Sequence, residues 1–190
     1  AAYLVNQQKF DSSLRVQSIQ AGHTVYYKGK AYKMRTIPCA WVNPDVTLIL
    51  GAGCFIDKQL LLDEIKMINE ATGEDVRKRL LVDYRATYVL DEDVEEEKTR
   101  ALESGVGSTA HGAGASLIRK MWRVGRMSRV CDDDWAIINK IMTCDTVSVM
   151  QNQRVLVEGC QGTLLALHTS PYYPFVTARE CTASGIIAEA

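Results

Sequence analysis

Hydrophobic positions along the chain switch repeatedly between the two-residue period of a strand and the 3.6-residue period of a helix. Segments 24–27 and 31–35 flank Lys28-Gly29-Lys30, which predicts a β-hairpin with the glycine supplying the turn. Val46-Thr47-Leu48-Ile49-Leu50 is a near-continuous apolar run ending in Gly51-Ala52-Gly53, the pattern of a strand buried on both faces. Asp57 then caps a helix whose apolar stripe is Leu60, Leu61, Ile65 and Ile68, and Gly73 closes it. Two further short strands are expected over 79–83 and 86–90.

Beyond residue 90 the periodicity is mostly helical. Segment 92–101 predicts an acidic helix with Glu95, Glu96 and Glu97 together on its solvent side. A glycine-rich stretch over 105–114 leads into a basic amphipathic helix at 117–127, and a second helix is expected at 132–142. A short helix at 145–151 precedes a strand at 155–157, and 159–185 is mostly loop by composition. With no internal repeat and no low-complexity linker, one α/β domain over residues 1–190 fits this order, with a mostly parallel sheet flanked by helices.

Composition narrows the function more than the fold. Twenty-two basic against 23 acidic side chains give a net charge of -1, which argues against nucleic acid or a membrane surface as an electrostatic partner. The apolar runs are far too short to cross a bilayer. The six cysteines contain no C-x-x-C pair and have no nearby histidines, so neither a zinc site nor a disulfide framework is expected. Reduced thiols and a cytoplasmic location follow as the expectation. The chain opens on Ala-Ala-Tyr-Leu-Val without a methionine and stops on Ile-Ile-Ala-Glu-Ala, so both ends read as cut.

Candidate chemistry sits in three small-residue loops, placed where open α/β sheets bind ligands. The first, Gln17-Ser18-Ile19-Gln20-Ala21-Gly22-His23-Thr24, offers a histidine suited to proton donation, although a lone loop histidine is more often structural than catalytic. The second, Gly107-Ser108-Thr109-Ala110-His111-Gly112-Ala113-Gly114, offers hydroxyls and exposed amides at a helix start, a phosphate cradle or an ordinary loop. It lacks the lysine of a Walker A loop. The third combines Glu158-Gly159-Cys160-Gln161-Gly162-Thr163 with Pro174-Phe175-Val176-Thr177, where the Gln161 amide can both donate to and accept from a base edge.

In their order and wording the three loops resemble the adenylosuccinate synthetases, purine-pathway ligases that join L-aspartate to inosinate using GTP. Gly51-Ala52-Gly53 with Asp57, and Tyr173-Pro174-Phe175-Val176-Thr177, extend the resemblance over essentially the whole chain. The short stretch between Gly114 and Glu158, and Asp83-Tyr84-Arg85, look like the compact archaeal and phage branch. The resemblance implies a P-loop-related fold and a 6-phosphoryl intermediate. It implies His23 and Gln161 as the catalytic positions, one on the transferring phosphoryl group and the other beside the purine. Gln20, Thr109 and Thr177 would bind the substrate nucleotide, Gln20 standing where the family usually has Asn. Gly22 would offer its carbonyl to Mg²⁺, and Arg123 would reach a partner's nucleotide phosphate across a homodimer interface.

The family's G-D-E-G-K-G-K loop, which carries the general base and much of the GTP cradle, is expected before Ala1. The aspartate-binding and guanine-recognition region is expected after Ala190. The resemblance therefore casts the chain as the central part of a larger ligase, inactive alone. His111 and Arg179-Glu180-Cys181 depart from the bacterial pattern. One alternative is the phage-type ligase that takes deoxyguanylate with ATP or GTP. Another, of a different class, is an inactive nucleotide-binding paralogue.

Overall fold

The computed structural model describes residues 1–17, 19–100, 102–123 and 134–190. Its centre is a five-stranded sheet with the order β8-β6-β4-β1-β9. The strands are β1 (Ser12–Arg15), β4 (Thr47–Leu50), β6 (Leu80–Asp83), β8 (Met142–Cys144) and β9 (Val155–Glu158), and every neighbouring pair is parallel. The mostly parallel sheet expected from the pattern is therefore present. Two small sheets flank it: the hairpin of β2 (His23–Tyr27) with β3 (Lys30–Met34), and the parallel pair β5 (Phe55–Ile56) with β7 (Thr87–Tyr88). The hairpin turn takes positive φ at Lys28 (49°) and Gly29 (79°), the two-residue geometry that matches strand twist.

Alternation within the strands sorts side chains to two cores. Leu48, Leu50, Leu80 and Val82 join the larger one, with Trp41, Ile56 and helix α2 (Lys58–Thr72). Leu14, Val16 and Ile49 face the other way, against α7 (Thr146–Val149) and α8 (Ala183–Ala188) through Val149 and Ile186. Helix α2 forms as its sequence dictates. The Asp57 carboxylate accepts from the Leu60 amide at 2.9 Å, Leu61, Ile65 and Ile68 are buried, and Gly73 ends the helix at φ 81°.

The remaining helices are α1 (Ala2–Gln7), α3 (Asp91–Thr99), α4 (Leu102–Val106), α5 (Ala113–Trp122) and α6 (Asp134–Ile138). Several boundaries correct the periodicity. The basic helix starts at Ala113 and ends at Trp122, because glycine and alanine, not an apolar stripe, form its first turn. The expected 132–142 helix is only Asp134–Ile138; Met142 belongs to edge strand β8, too short for its alternation to show. Segments 124–127 and 132–133 of those two expected helices lie outside the described residues.

Asp83 ends β6 fully buried and ties the sheet to α7. Its carboxylate accepts from Arg85 Nη2 at 2.8 Å and from the Thr146 amide at 2.9 Å. Burial acts to raise the Asp83 carboxyl, but the hydrogen bonds from Arg85 and Thr146 outweigh it and hold the group well below the usual carboxylate range. A depressed folded value stabilises the fold above the unfolded value of about 3.9 and is lost as pH falls towards the folded one. Asp83→Asn is therefore expected to cost about 1–3 kcal/mol at neutral pH. It should also flatten the fall in melting temperature below pH 4, measured by circular dichroism across a pH series.

Candidate functional site

Strands β1 and β9 lie side by side in parallel, so the segments that follow them leave from the same, carboxyl end of the sheet, where open α/β sheets bind ligands. A cleft of about 400 Å³ lies at that end, within the usual range of small-molecule sites. All three predicted loops reach it. Gln20 comes from the segment after β1, Thr109 from the glycine-rich loop before α5, Gln161 from the turn after β9, and Thr177 from the tail. Thr109 is exposed, while Gln20, Gln161 and Thr177 are half-buried, so polar ends line a partly apolar wall that includes Leu165 and Phe175. The Cys181 thiol lies 3.8 Å from Gln161 Oε1, within reach to donate to that oxygen. Burial pushes the Cys181 thiol up to about 11, so it stays protonated at neutral pH.

His23 does not line this cleft. It lies at the start of β2, on a neighbouring recess of about 800 Å³ that it shares with Cys39 and Glu158. Gly22 is exposed, and a Cβ placed there meets nothing within 4 Å. Arg123 caps the C-terminal end of α5 at φ 55°, exposed and on neither recess. The cleft therefore unites Gln20, Thr109, Gln161 and Thr177, and leaves His23, Gly22 and Arg123 outside it.

Behind His23 stands a buried group that the sequence pattern did not single out. Arg15, at the end of the central strand, is completely buried, and its Nη1 donates to Glu158 Oε1 at 2.7 Å. His23 Nδ1 approaches the same oxygen at 2.7 Å, and the Cys39 amide donates to Oε2 at 2.9 Å. Burial acts to raise Glu158, but His23, Arg15 and Cys39 together bring it below the usual range, so it is a carboxylate. His23, Cys39 and Glu158 place three ligand atoms within 4.8 Å of one another, the shape of a metal site. Arg15 Nη1, 2.7 Å from the carboxylate and 3.5 Å from His23 Nδ1, fills the place of the cation there. The only advance signal for this group was the Glu158 motif, because Ser12-Ser13-Leu14-Arg15 has too few apolar residues to read as a central strand.

The glycine-rich loop corrects one expectation. Glu97 is buried rather than on the solvent side of α3, and its carboxylate accepts from the amides of Gly112 (2.8 Å), Gly114 (2.6 Å) and Ala115 (3.2 Å). Those three amides, at the N-terminal end of α5, are thus taken up within the protein, while the hydroxyl-bearing part of the loop at 107–109 lines the cleft. Gly112, at φ 76°, packs so closely on Val89 and Val94 that a Cβ there would fall within 2.8–3.1 Å of them. The described cysteines Cys39, Cys54, Cys144, Cys160 and Cys181 are free thiols, as expected; Cys131 lies outside the described residues. No described helix is long and apolar enough to cross a membrane.

Residues 4–144 match the family model of the adenylosuccinate synthetases. The chain is 31% identical over 170 residues to the adenylosuccinate synthetase of Methanocaldococcus jannaschii, covering 89% of this chain and 48% of that protein. It is 28% identical to the N6-succino-2-amino-2'-deoxyadenylate synthase of Vibrio phage phiVC8, covering all of this chain and 57% of that one. Among solved structures, the succinoaminodeoxyadenylate synthetase of cyanophage S-2L, bound to dGMP and dATP, superposes with a TM-score of 0.81 at 29% identity. That match covers 99% of this chain and 53% of the phage protein. Plasmodium falciparum adenylosuccinate synthetase shares the fold at a TM-score of 0.78 and 21% identity, covering 95% of this chain and 52% of that one. The chain thus spans about half the length of the relatives it matches.

Glu97→Ala should release the three amides and loosen the loop by about 1–3 kcal/mol, the cost of stranded buried donors. Hydrogen exchange at Gly112, Gly114 and Ala115 should accelerate well ahead of exchange in β4.

Proposed function

Since this chain belongs to the adenylosuccinate synthetase family, we propose that it supplies the nucleotide-monophosphate site of a ligase joining L-aspartate to inosinate with GTP hydrolysis. The observation that carries this reading is the convergence of Gln20, Thr109, Gln161 and Thr177 on one cleft at the carboxyl end of the sheet. In the proposed reaction the purine loses a ring proton and its O6 attacks the γ-phosphate of GTP, forming the 6-phosphoryl nucleotide and GDP. The aspartate amine then displaces phosphate at C6.

Each residue has a task suited to its chemistry. The Gln161 amide faces the base, Thr109 and Thr177 donate to the 5′-phosphate, and Gln20 adds a further amide contact. His23 donates to the transferring phosphoryl group, where negative charge builds. Mg²⁺, when bound, neutralises phosphate charge. Gly22, an exposed residue beside His23, would offer it one backbone carbonyl. Arg123, exposed at the end of α5, would contact a nucleotide phosphate of a second copy, a task its guanidinium suits. A cytoplasmic homodimer without nucleic-acid or membrane partners completes the reading.

A second reading takes deoxyguanylate with ATP. It is favoured by the phage relatives, which align over 99–100% of this chain against 89% for the archaeal ones. The full-length protein, given aspartate with inosinate and GTP, is expected to form adenylosuccinate, followed by chromatography. Product from deoxyguanylate and ATP alone selects the phage-type reaction, and no product from either pair refutes the ligase reading in favour of an inactive paralogue. His23→Ala should cut turnover at least about 1,000-fold, on the order expected for a lost transition-state donor, to a small but measurable rate while the melting temperature stays within a few degrees; a fully active variant refutes the role of His23.

A further inference from the structure

The reading above gives Glu158 and Arg15 no task, and it leaves open what holds the His23 ring in place. We infer that Glu158, clamped by Arg15, is the positioning residue for His23. This rests on the role proposed for His23 in phosphoryl transfer.

The geometry separates this from a merely structural ion pair. Glu158 Oε1 serves Arg15 Nη1 and His23 Nδ1 at 2.7 Å each, and Oε2 is taken by the Cys39 amide at 2.9 Å. Held from both oxygens, the carboxylate cannot turn, so the line from Oε1 to the imidazole is fixed. At the far side of the ring, Nε2 lies 3.3 Å from the Cys160 carbonyl, two residues further along the same strand end. The ring is thus bracketed across its width by one segment of chain.

Exposure follows the same order. Arg15 is 0% and Glu158 7% exposed, whereas His23 is 26% exposed at the recess. A rigid buried base therefore presents a histidine that can still reach a substrate. With Nδ1 held on the carboxylate, Nε2 is the nitrogen left for a substrate, in exchange for its longer contact with the Cys160 carbonyl. Arg15 is fixed in turn. Its Nη2 donates to the Ala21 carbonyl at 3.3 Å, so the loop carrying His23 is tied to the same guanidinium.

The test is a double-mutant cycle in the full-length protein with Glu158→Asp, His23→Ala and the pair. The shorter acid keeps the charge opposite Arg15 but withdraws the oxygen from the ring. Glu158→Asp is expected to lower kcat about 10- to 100-fold, with the nucleotide KM nearly unchanged. In the His23→Ala background it should cost nothing further. Losses that multiply in the double variant, a raised KM, or an unchanged kcat overturn the inference.

A readout independent of turnover is the His23 side-chain Nδ1–H resonance by ¹⁵N NMR. It should be observable and slow to exchange in the wild type and lost in Glu158→Asp. Its absence from the wild type, or its survival in the variant, also overturns the inference, even if the variant melts early. An inactive wild type with this resonance intact removes the ligase reading and leaves the positioning of His23 standing.

Discussion

The fold turns on one buried ion pair, Arg15 with Glu158, set across the carboxyl ends of the inner strand β1 and the edge strand β9. Taking both charges out of water costs several kcal/mol per ion, and attraction alone repays this only when the remaining lone pairs and protons are satisfied. Here Glu158 receives Arg15, His23 and an amide, and Arg15 reaches the Ala21 carbonyl and the Cys160 sulfur as well, leaving only its buried Nε–H without a partner among the described residues. The pair ties β1, the loop after it, the turn at Cys39 and the end of β9 into one unit. A hydrophobic pair of equal volume would fill the same space but would leave His23 and the Cys39 amide without an acceptor.

The same device recurs. Glu64 on α2 accepts from the amides of Thr36 and Ile37 and so seats the hairpin exit on the core. Burial raises the Glu64 carboxyl, and those backbone bonds offset part of the cost. Glu97 does this for the glycine-rich loop, and Asp93, bound to Arg119 at 2.7 Å, pins α3 to α5. Loops that carry function cannot bury much apolar surface, so buried carboxylates fix them by satisfying backbone amides directly.

Much of this was legible in the sequence wherever local pattern and final environment agree. The α2 cap and stripe, the hairpin and β4 follow from Asp57, Gly73, Gly29 and the run from Val46 to Leu50, and the three loops that line the cleft were marked by their small residues. What escaped is what long-range contact decides. Ser12, Ser13 and Arg15 look like surface yet form the middle of the sheet, because β4 and β9 cover them from both sides. Glu97 reads as one more solvated charge beside Glu95 and Glu96, and only the amides of a loop 15 residues on make it buried. No periodicity records such a partner.

Arg15 and Glu158 stand 143 positions apart. No local stretch of chain can therefore assemble the site. As the polypeptide leaves the ribosome, the first central strand carries an uncompensated guanidinium until nearly all of the described chain has been made. Closing so long a loop is entropically costly before any contact rewards it, and topologies of this kind fold slowly. The carboxyl end of the sheet that holds His23 therefore depends on a contact of high sequence separation, whereas the hairpin and α2 rest on local ones.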